Sequence, residues 1–289
     1  MFSLGKIIIA LIVIVLAPLL GGLIAGLDRK LTARLQGRYG PPIFQPFYDV
    51  LKLLGKKNHP MNKTQVFCVW IYFIAAVTSL FLFALQSDLL MIFFVMTIGA
   101  IFLVIGAKST PSPFSQVGAQ RELVQMLTYE PLLILVFVSI YFVTGSFNIA
   151  DILKYPKPIF LTLPLIYLVL GFALTIKLRK SPFDISTSHH GHQEIVKGLL
   201  TEYSGPYLAM IEIAHWYEIM LILAICGLFW HTNLAALLIF LLITYLAEIF
   251  IDNLVARSTW RWMLAYVWGV GISLVFFNIL FLYAYRFVS

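Results

Sequence analysis

Eight long apolar segments constrain the fold of this chain more than any other feature of its sequence. They lie at about 4–26, 64–85, 89–107, 123–145, 159–178, 206–228, 234–252 and 263–286. A helix needs about 20 apolar residues to cross roughly 30 Å of hydrocarbon, so each segment can span a bilayer. Charged residues make up only 11% of the 289 residues, against about 25% in soluble domains. We therefore predict an all-α polytopic integral membrane protein, with about eight transmembrane helices in a single membrane domain over residues 1–289.

Basic residues are distributed unevenly among the connections between these segments. The first, third, fifth and seventh loops hold sixteen of the twenty Lys and Arg residues. Because positively charged loops stay in the cytoplasm, the sequence predicts large cytoplasmic loops one and five and both termini outside. The same distribution accounts for the net charge of +7 without a basic face for nucleic acid, so we predict no nucleic-acid partner.

Several ionisable residues lie in or near the apolar segments, where a charge costs about 3 kcal/mol on insertion scales. They are Glu130, Glu212, His215, Glu218, Glu248 and Asp252. In the sixth segment Glu212, His215 and Glu218 follow one another at three-residue steps, so they share an arc of about 120° on a helix. In the seventh segment Glu248 and Asp252 lie four residues apart, on one stripe with Tyr245.

Two roles fit these buried polar groups. A single acid of this kind usually joins two helices through a hydrogen bond. A series of acids and a histidine on shared helix faces favours instead a path for protons or sodium ions, because burial and neighbouring charges let such groups exchange protons near neutral pH. Glu130 precedes Pro131, which removes a backbone donor and is expected to bend the helix beside a cavity.

The first and fifth loops are too distinctive to be plain connectors. In the first loop, 28–63, residues 43–54 carry apolar side chains at helical spacing and are predicted to form a helix that lies flat in the membrane interface. The fifth loop contains His189, His190 and His192. Because no fourth ligand is evident, these histidines favour hydrogen bonding and proton handling over a metal site.

Several short motifs occur in the two loops and in the fourth segment. The fifth loop carries Pro182-Phe183-Asp184, Gln193-Glu194-Ile195-Val196 and Thr201-Glu202-Tyr203-Ser204-Gly205. The first loop carries Asp28-Arg29-Lys30, Arg34, Gln36-Gly37-Arg38-Tyr39-Gly40-Pro41, and Asp49 with Lys52; the fourth segment carries Thr128-Tyr129-Glu130. In this order the motifs resemble subunit 1 of respiratory complex I, from about residue 28 to the eighth segment.

The departures from that pattern indicate a particular branch of the family. His190 and His192 stand where the quinone-reducing members have an acidic cluster, and His215-Trp216 stands where they have Glu-Tyr. These stretches are most similar to the membrane-anchor subunits of energy-converting [NiFe] hydrogenases, of the Ech and archaeal membrane-bound types. In that branch a peripheral arm oxidises ferredoxin and reduces protons to hydrogen, or runs in reverse, coupled to ion transport.

The resemblance implies a subunit of the cell membrane that joins a cytoplasmic hydrogenase arm to a membrane ion pump. It implies that this chain has no catalytic centre and binds no cofactor or metal. The [4Fe-4S] clusters and the [NiFe] centre would then belong to partners, namely the hydrogenase large and small subunits and an iron–sulfur subunit. Antiporter-like membrane subunits and lipid are the other expected partners.

The resemblance also assigns candidate residues to two roles. The candidates for the ion path are Glu130, Glu194, Glu202, Glu212, His215, Glu218, Glu248 and Asp252. The candidates for docking the arm are Arg29, Arg34, Arg38, Lys52, Asp184, His189, His190 and His192. For the four basic ones, orientation by charge and contact with anionic lipid headgroups is the alternative. Two alternatives remain open: the corresponding subunit of a quinone-, methanophenazine- or sulfur-linked complex I relative, and a standalone secondary ion transporter.

Overall fold

The computed structural model describes residues 4–57, 62–183 and 198–288, with side chains up to residue 284. These residues form α-helices and two short 3₁₀ helices, at Gly198–Leu200 and Leu228–Trp230, and no β-strand. The α-helices are α1 (Leu4–Leu35), α2 (Gln45–Leu54), α3 (Lys63–Ala84), α4 (Leu89–Lys108), α5 (Pro113–Thr144), α6 (Ile149–Ile152), α7 (Ile159–Thr162), α8 (Pro164–Lys177), α9 (Gly205–Gly227), α10 (Leu234–Leu254) and α11 (Trp260–Val288). The prediction of an all-α polytopic membrane protein is confirmed.

Seven of the described helices are long and apolar enough to cross a membrane, namely α1, α3, α4, α5, α9, α10 and α11. The eighth predicted span, 159–178, is instead divided into α7 and α8. Pro164 starts α8, and a proline has no N–H for the preceding turn. The buried side chain of Asn278 on α11 accepts a hydrogen bond from the Leu165 N–H (3.0 Å) and donates one to the Thr162 carbonyl (3.1 Å). The break is therefore compensated by a polar side chain, as a buried backbone interruption requires.

Asparagine side chains fix the beginnings of three helices. The side-chain oxygens of Asn62, Asn148 and Asn233 accept hydrogen bonds from the backbone N–H two residues later, at α3, α6 and α10. Each cap satisfies one of the N–H groups that a helix start leaves without a partner. The boundaries of these three helices thus follow directly from the local sequence.

The chain divides into two units. Among the described residues, the first comprises 4–57, 62–87, 91–123 and 198–221, and the second comprises 88–90, 124–183 and 222–288. In the first unit α1 packs against α2 and α3. In the second unit α8 packs against α11, and α7 contacts the 3₁₀ helix that precedes α10.

Small residues on α1 permit the close packing of the first unit. A Cβ atom added at Gly21 would lie 2.7 Å from the carbonyl oxygen of Trp216 on α9, and one at Gly26 would overlap the carbonyl oxygen of Ile43. Both glycines are buried. Glycine at these positions therefore lets backbone approach backbone, the arrangement typical of packed helices in membranes.

The structure adds two details to the first loop. The first helix continues to Leu35, so Arg29 and Arg34 lie on a helix. No helix-breaking residue occurs between Arg29 and Gly37, and a basic residue in the last turn stabilises the helix end. The interfacial helix is present as α2, but its apolar residues do not share one environment: Val50 is buried against Trp216, whereas Phe44 and Leu51 are exposed.

Candidate functional site

The polar residues of α9 occupy the arc that their spacing predicts. Glu218 is buried, and its Oε2 lies 3.6 Å from Nδ1 of His215. That separation exceeds an ordinary hydrogen bond, but the two groups form an ion pair whenever the imidazole is protonated. Glu212 lies six residues before Glu218 on the same helix and is half-buried. The first unit therefore contains an acid–imidazole–acid series along one helix, which can hold or exchange a proton.

A pocket of about 210 Å³ lies beside the beginning of this series. Its lining comes from the end of α1, from α2 and its C-terminal end, and from the first half of α9. Arg29, Lys52 and Glu212, which the sequence assigned to two different roles, all contribute to it. Arg29 Nη1 donates to Asp49 Oδ2 at 2.8 Å, and this ion pair joins α1 to α2.

Glu202 is exposed in the turn before α9, unlike the acids on the helix. The neighbouring Tyr203 is buried, and its hydroxyl donates to the Leu103 carbonyl of α4 at 3.3 Å. Burial raises the pKa of Tyr203 above its ordinary value, so this hydroxyl stays protonated and serves as an anchor. The exposure of Glu202 suits exchange with water at the membrane surface, and does not suit a buried step of the path.

Two of the docking candidates, Arg34 and Arg38, are exposed. The Arg34 guanidinium lies 4.8 Å from the ring centroid of Tyr39, and Arg38 Nη2 donates to Gln36 Oε1. Tyr39 is itself exposed. This end of α1 therefore presents two cations and an aromatic ring, residue types that are enriched in protein interfaces.

The second unit contains a buried carboxyl group next to a buried cation. Glu248 on α10 and Lys180, three residues beyond α8, are each 4% exposed. Lys180 and Asp252 both interact electrostatically with Glu248, and Oε2 of Glu248 is buried without a hydrogen-bond partner in the described part of the chain. The Lys180 ammonium also lies 4.9 Å from the ring centroid of Tyr245, which confirms that Tyr245 and Glu248 lie on the same side of α10.

Further hydrogen bonds hold the ends of this cluster. The backbone N–H of Ser181 donates to Oδ1 of Asp252 at 2.8 Å, which fixes the carboxylate beside Lys180. The hydroxyl of Tyr167 on α8 lies 2.5 Å from the hydroxyl of Thr244 on α10. Because Thr244 donates to the Phe240 carbonyl, Tyr167 is the donor of this bond. Tyr167 also interacts electrostatically with Glu248, so a polar series runs along α10 from Asp252 to Thr244.

Glu130 is half-buried on α5, which continues as a helix through Pro131. The ammonium of Lys177, at the end of α8, lies 5.5 Å from the ring centroid of the adjacent Tyr129. The indole N–H of Trp268 donates to the Thr128 carbonyl at 3.3 Å, one turn before the proline. Polar contacts therefore hold the two residues that precede Glu130, while the bend at Pro131 stays a prediction.

Five sequence-predicted residues lie outside the described part of the chain: Asp184, His189, His190, His192 and Glu194. Conversely, sequence reasoning counted Lys180 only among the basic residues that set orientation, yet it lies in the Glu248 cluster. Its position two residues before the Pro182-Phe183-Asp184 motif was the available signal. Tyr167 and Thr244 gave no signal, because hydroxyl groups are common in transmembrane helices.

Residues 6–283 match the family described as NADH dehydrogenase. The chain belongs to this family. Hydrogenase-4 component C of Escherichia coli is 32% identical over 70% of this chain and 67% of its own length. Formate hydrogenlyase subunit 4 of the same organism is 32% identical over 68% of this chain and 67% of its own length.

Two comparisons extend over almost the whole length of both proteins. An NADH-quinone oxidoreductase subunit of Syntrophobacter fumaroxidans is 26% identical over 95% of this chain and 94% of its own length. A chain in the structure of the membrane-bound sulfane sulfur reductase, an archaeal respiratory membrane complex, superposes with a TM-score of 0.86. That match is 25% identical and covers 96% of this chain and 99% of the other. The protein is therefore homologous to membrane subunits of multi-subunit complexes, and the resemblance seen in the sequence is confirmed.

Proposed function

We propose that this protein is the membrane subunit of an energy-converting hydrogenase complex, which docks a soluble arm and contributes acids to the path that couples electron transfer to proton or sodium movement. One observation supports the coupling role: the ionisable residues Glu248 and Lys180 are buried in a membrane protein, each with only 4% of its surface exposed. Such groups cost several kcal/mol each unless they are paired, and they usually mark ion paths.

The identity of the arm is supported by the two relatives from hydrogenase complexes. Both are 32% identical over 70% and 68% of this chain, against 30% over 69% for one NADH-quinone oxidoreductase subunit. We propose as partners the hydrogenase large and small subunits, an iron–sulfur subunit and antiporter-like membrane subunits. The [4Fe-4S] clusters and the [NiFe] centre would lie in those partners, and this chain would hold no redox group.

The proposed division of labour follows from where the residues lie. Arg34 and Arg38 would contact the arm at the exposed end of α1. The Glu212–His215–Glu218 series of the first unit and the Asp252–Lys180–Glu248 cluster of the second unit would each change protonation when the arm changes its redox state. Coupling through this chain is then electrostatic and conformational, because the chain would transfer protons or sodium ions while its partners transfer the electrons.

A second candidate function is that of the corresponding subunit in a sulfur-linked complex. The structural match to the membrane-bound sulfane sulfur reductase, over 96% of this chain, favours it. Its membrane subunit would use the same buried acids with a different arm. The two candidates therefore differ in the reaction of the complex and not in the architecture of this chain.

The reaction of the intact purified complex decides between the two candidates. With reduced ferredoxin as the electron donor and no quinone added, we expect hydrogen evolution. Reduction of a polysulfide without hydrogen evolution would replace the hydrogenase by the sulfur-linked candidate. Strict dependence on an added quinone would overturn both.

We also propose that the arm lies on the cytoplasmic side of the cell membrane and that both termini lie outside. The charge distribution of the loops supports this orientation. A reporter fused after Ser289 should be active outside the cytoplasm, and one inserted within 179–205 should be active inside. The reverse pair of results would overturn the orientation.

A further inference from the structure

The pocket between α1, α2 and α9 is lined by residues that neither ion transport nor docking of the arm accounts for. Besides Arg29, Lys52 and Glu212, it is lined by Asp49, Lys56 and apolar side chains that include Leu53 and Trp216. Charged and apolar side chains therefore face the same space. A site of this kind suits an amphiphile, a molecule that has a charged group next to a hydrocarbon portion.

The charges of the pocket favour an anionic group. Arg29 and Asp49 neutralise each other through their 2.8 Å ion pair. Lys52 and Lys56 remain, four residues apart, and neither ammonium group has an ion-pair or hydrogen-bond partner among residues 4–57, 62–183 and 198–288. With the carboxylate of Glu212 on another wall, the two ammonium groups leave one net positive charge. A single phosphodiester would bring the site to neutrality.

The place of the pocket in the fold indicates where that phosphodiester comes from. The pocket lies at the C-terminal end of one membrane-crossing helix, α1, and at the N-terminal end of another, α9. This is the depth at which phospholipid headgroups lie. Phe44, Tyr48, Leu51 and Leu54, in and next to α2, are also exposed, as expected of a helix that lies in the interface against acyl chains.

The pocket is also of a suitable size for a headgroup. Its volume of about 210 Å³ is below the roughly 300–1,000 Å³ of pockets that enclose a whole drug-sized ligand. A neutral ring such as a quinone would leave that net positive charge uncompensated. We propose that this pocket binds the phosphate headgroup of an anionic membrane phospholipid, with Lys52 and Lys56 as its ligands and the acyl chains along the exposed face of α2. The proposal holds for either arm.

The experiment compares lipid retention by the intact purified complex and its variants. The complex is delipidated in detergent and titrated with phosphatidylglycerol, and bound lipid is counted by native mass spectrometry. The variant Lys52→Gln/Lys56→Gln should bind phosphatidylglycerol about thirtyfold more weakly, since each basic residue near an anionic headgroup contributes roughly a fivefold change in affinity. The variant Lys52→Arg/Lys56→Arg keeps both charges and should retain the lipid, which separates loss of binding from loss of folding.

A matched control removes the same charge outside the pocket. Lys57 and Lys63 are exposed and do not line it, so Lys57→Gln/Lys63→Gln should bind phosphatidylglycerol as the wild type does. Inorganic phosphate in large excess should not displace the lipid, because it lacks the acyl chains. Equal loss in the control, displacement by inorganic phosphate, or unchanged lipid binding in Lys52→Gln/Lys56→Gln would overturn the proposal. So would loss of the arm from that variant with its lipid retained, since Lys52 and Lys56 would then bind protein.

Discussion

Removal of the buried ammonium group of Lys180 should destabilise the protein through the carboxyl group it faces. Lys180 and Glu248 are each 4% exposed, and Asp252 acts on the same carboxyl group. In Lys180→Met the aliphatic stem is largely kept while the charge is lost. The ammonium group favours the charged form of that carboxyl group, and a buried charge that loses its partner costs at most about 3–5 kcal/mol. We expect the variant complex to lose stability by an amount within this limit.

A second substitution should restore most of that stability. In Lys180→Met/Glu248→Gln the carboxyl group of Glu248 is replaced by a neutral amide of nearly the same shape, so the acid of the cluster that remains is Asp252, which is only half-buried. Replacing both members of a buried pair is often neutral. The double variant should therefore unfold within about 1 kcal/mol of the wild type while coupled ion transport stays impaired.

Thermal unfolding of the purified complex, followed by fluorescence-detected size exclusion, measures this pattern. Lys154→Met is the matched control, because Lys154 is an exposed lysine that pairs with exposed Asp151, and it should change nothing measurable. Two results would refute the reasoning. The first is a Lys180→Met complex as stable as the wild type, and the second is a double variant no more stable than the single one.

Two further predictions concern the first unit. Gly26→Ala should destabilise this unit by about 1–3 kcal/mol or more, because the new Cβ would overlap the Ile43 carbonyl oxygen. In the same thermal assay Gly5→Ala should leave stability unchanged, since nothing lies within 4 Å of a Cβ at that position. Equal effects of the two substitutions would contradict the packing argument. Arg34→Glu/Arg38→Glu should release the soluble arm in pull-downs at physiological salt, since like charges brought together at an interface cost several kcal/mol. The Lys versions of both residues should keep the arm bound, and an arm retained by the Glu variant would show that these arginines do not dock it.

The features that the sequence predicted well are those that depend on local periodicity. Seven of the apolar segments became membrane-crossing helices, and the three-residue spacing of Glu212, His215 and Glu218 placed them along one helix. The asparagine N-caps are also local. A helix of fixed pitch converts spacing into direction without help from the rest of the fold.

The features that sequence reasoning did not predict depend on contacts between distant residues. The division of the fifth span into two helices depends on Asn278, which lies 113 residues beyond Leu165 in the chain. Pro164 was the one local sign that the helix is interrupted there. Lys180 was interpreted as an orientation charge because its contact with Tyr245 on α10 cannot be derived from spacing. The apolar segment 4–26 did not by itself fix the end of α1 at Leu35, because polar residues end only the apolar part of a helix.

The central claim, that acids in the membrane couple electron transfer to ion movement, is tested most directly in proteoliposomes of the whole complex. In Glu130→Gln and Glu212→Gln the side chain keeps its shape and loses its titratable proton. With reduced ferredoxin, each variant should form an ion gradient about tenfold or more slower, since a positioned acid or base contributes about 10²–10⁴-fold to proton transfer. Hydrogen evolution with an artificial donor should be nearly unchanged, and Asp151→Asn, at an exposed position, should behave as the wild type. Normal coupled pumping by both glutamine variants would contradict the account and leave these glutamates as helix-joining residues.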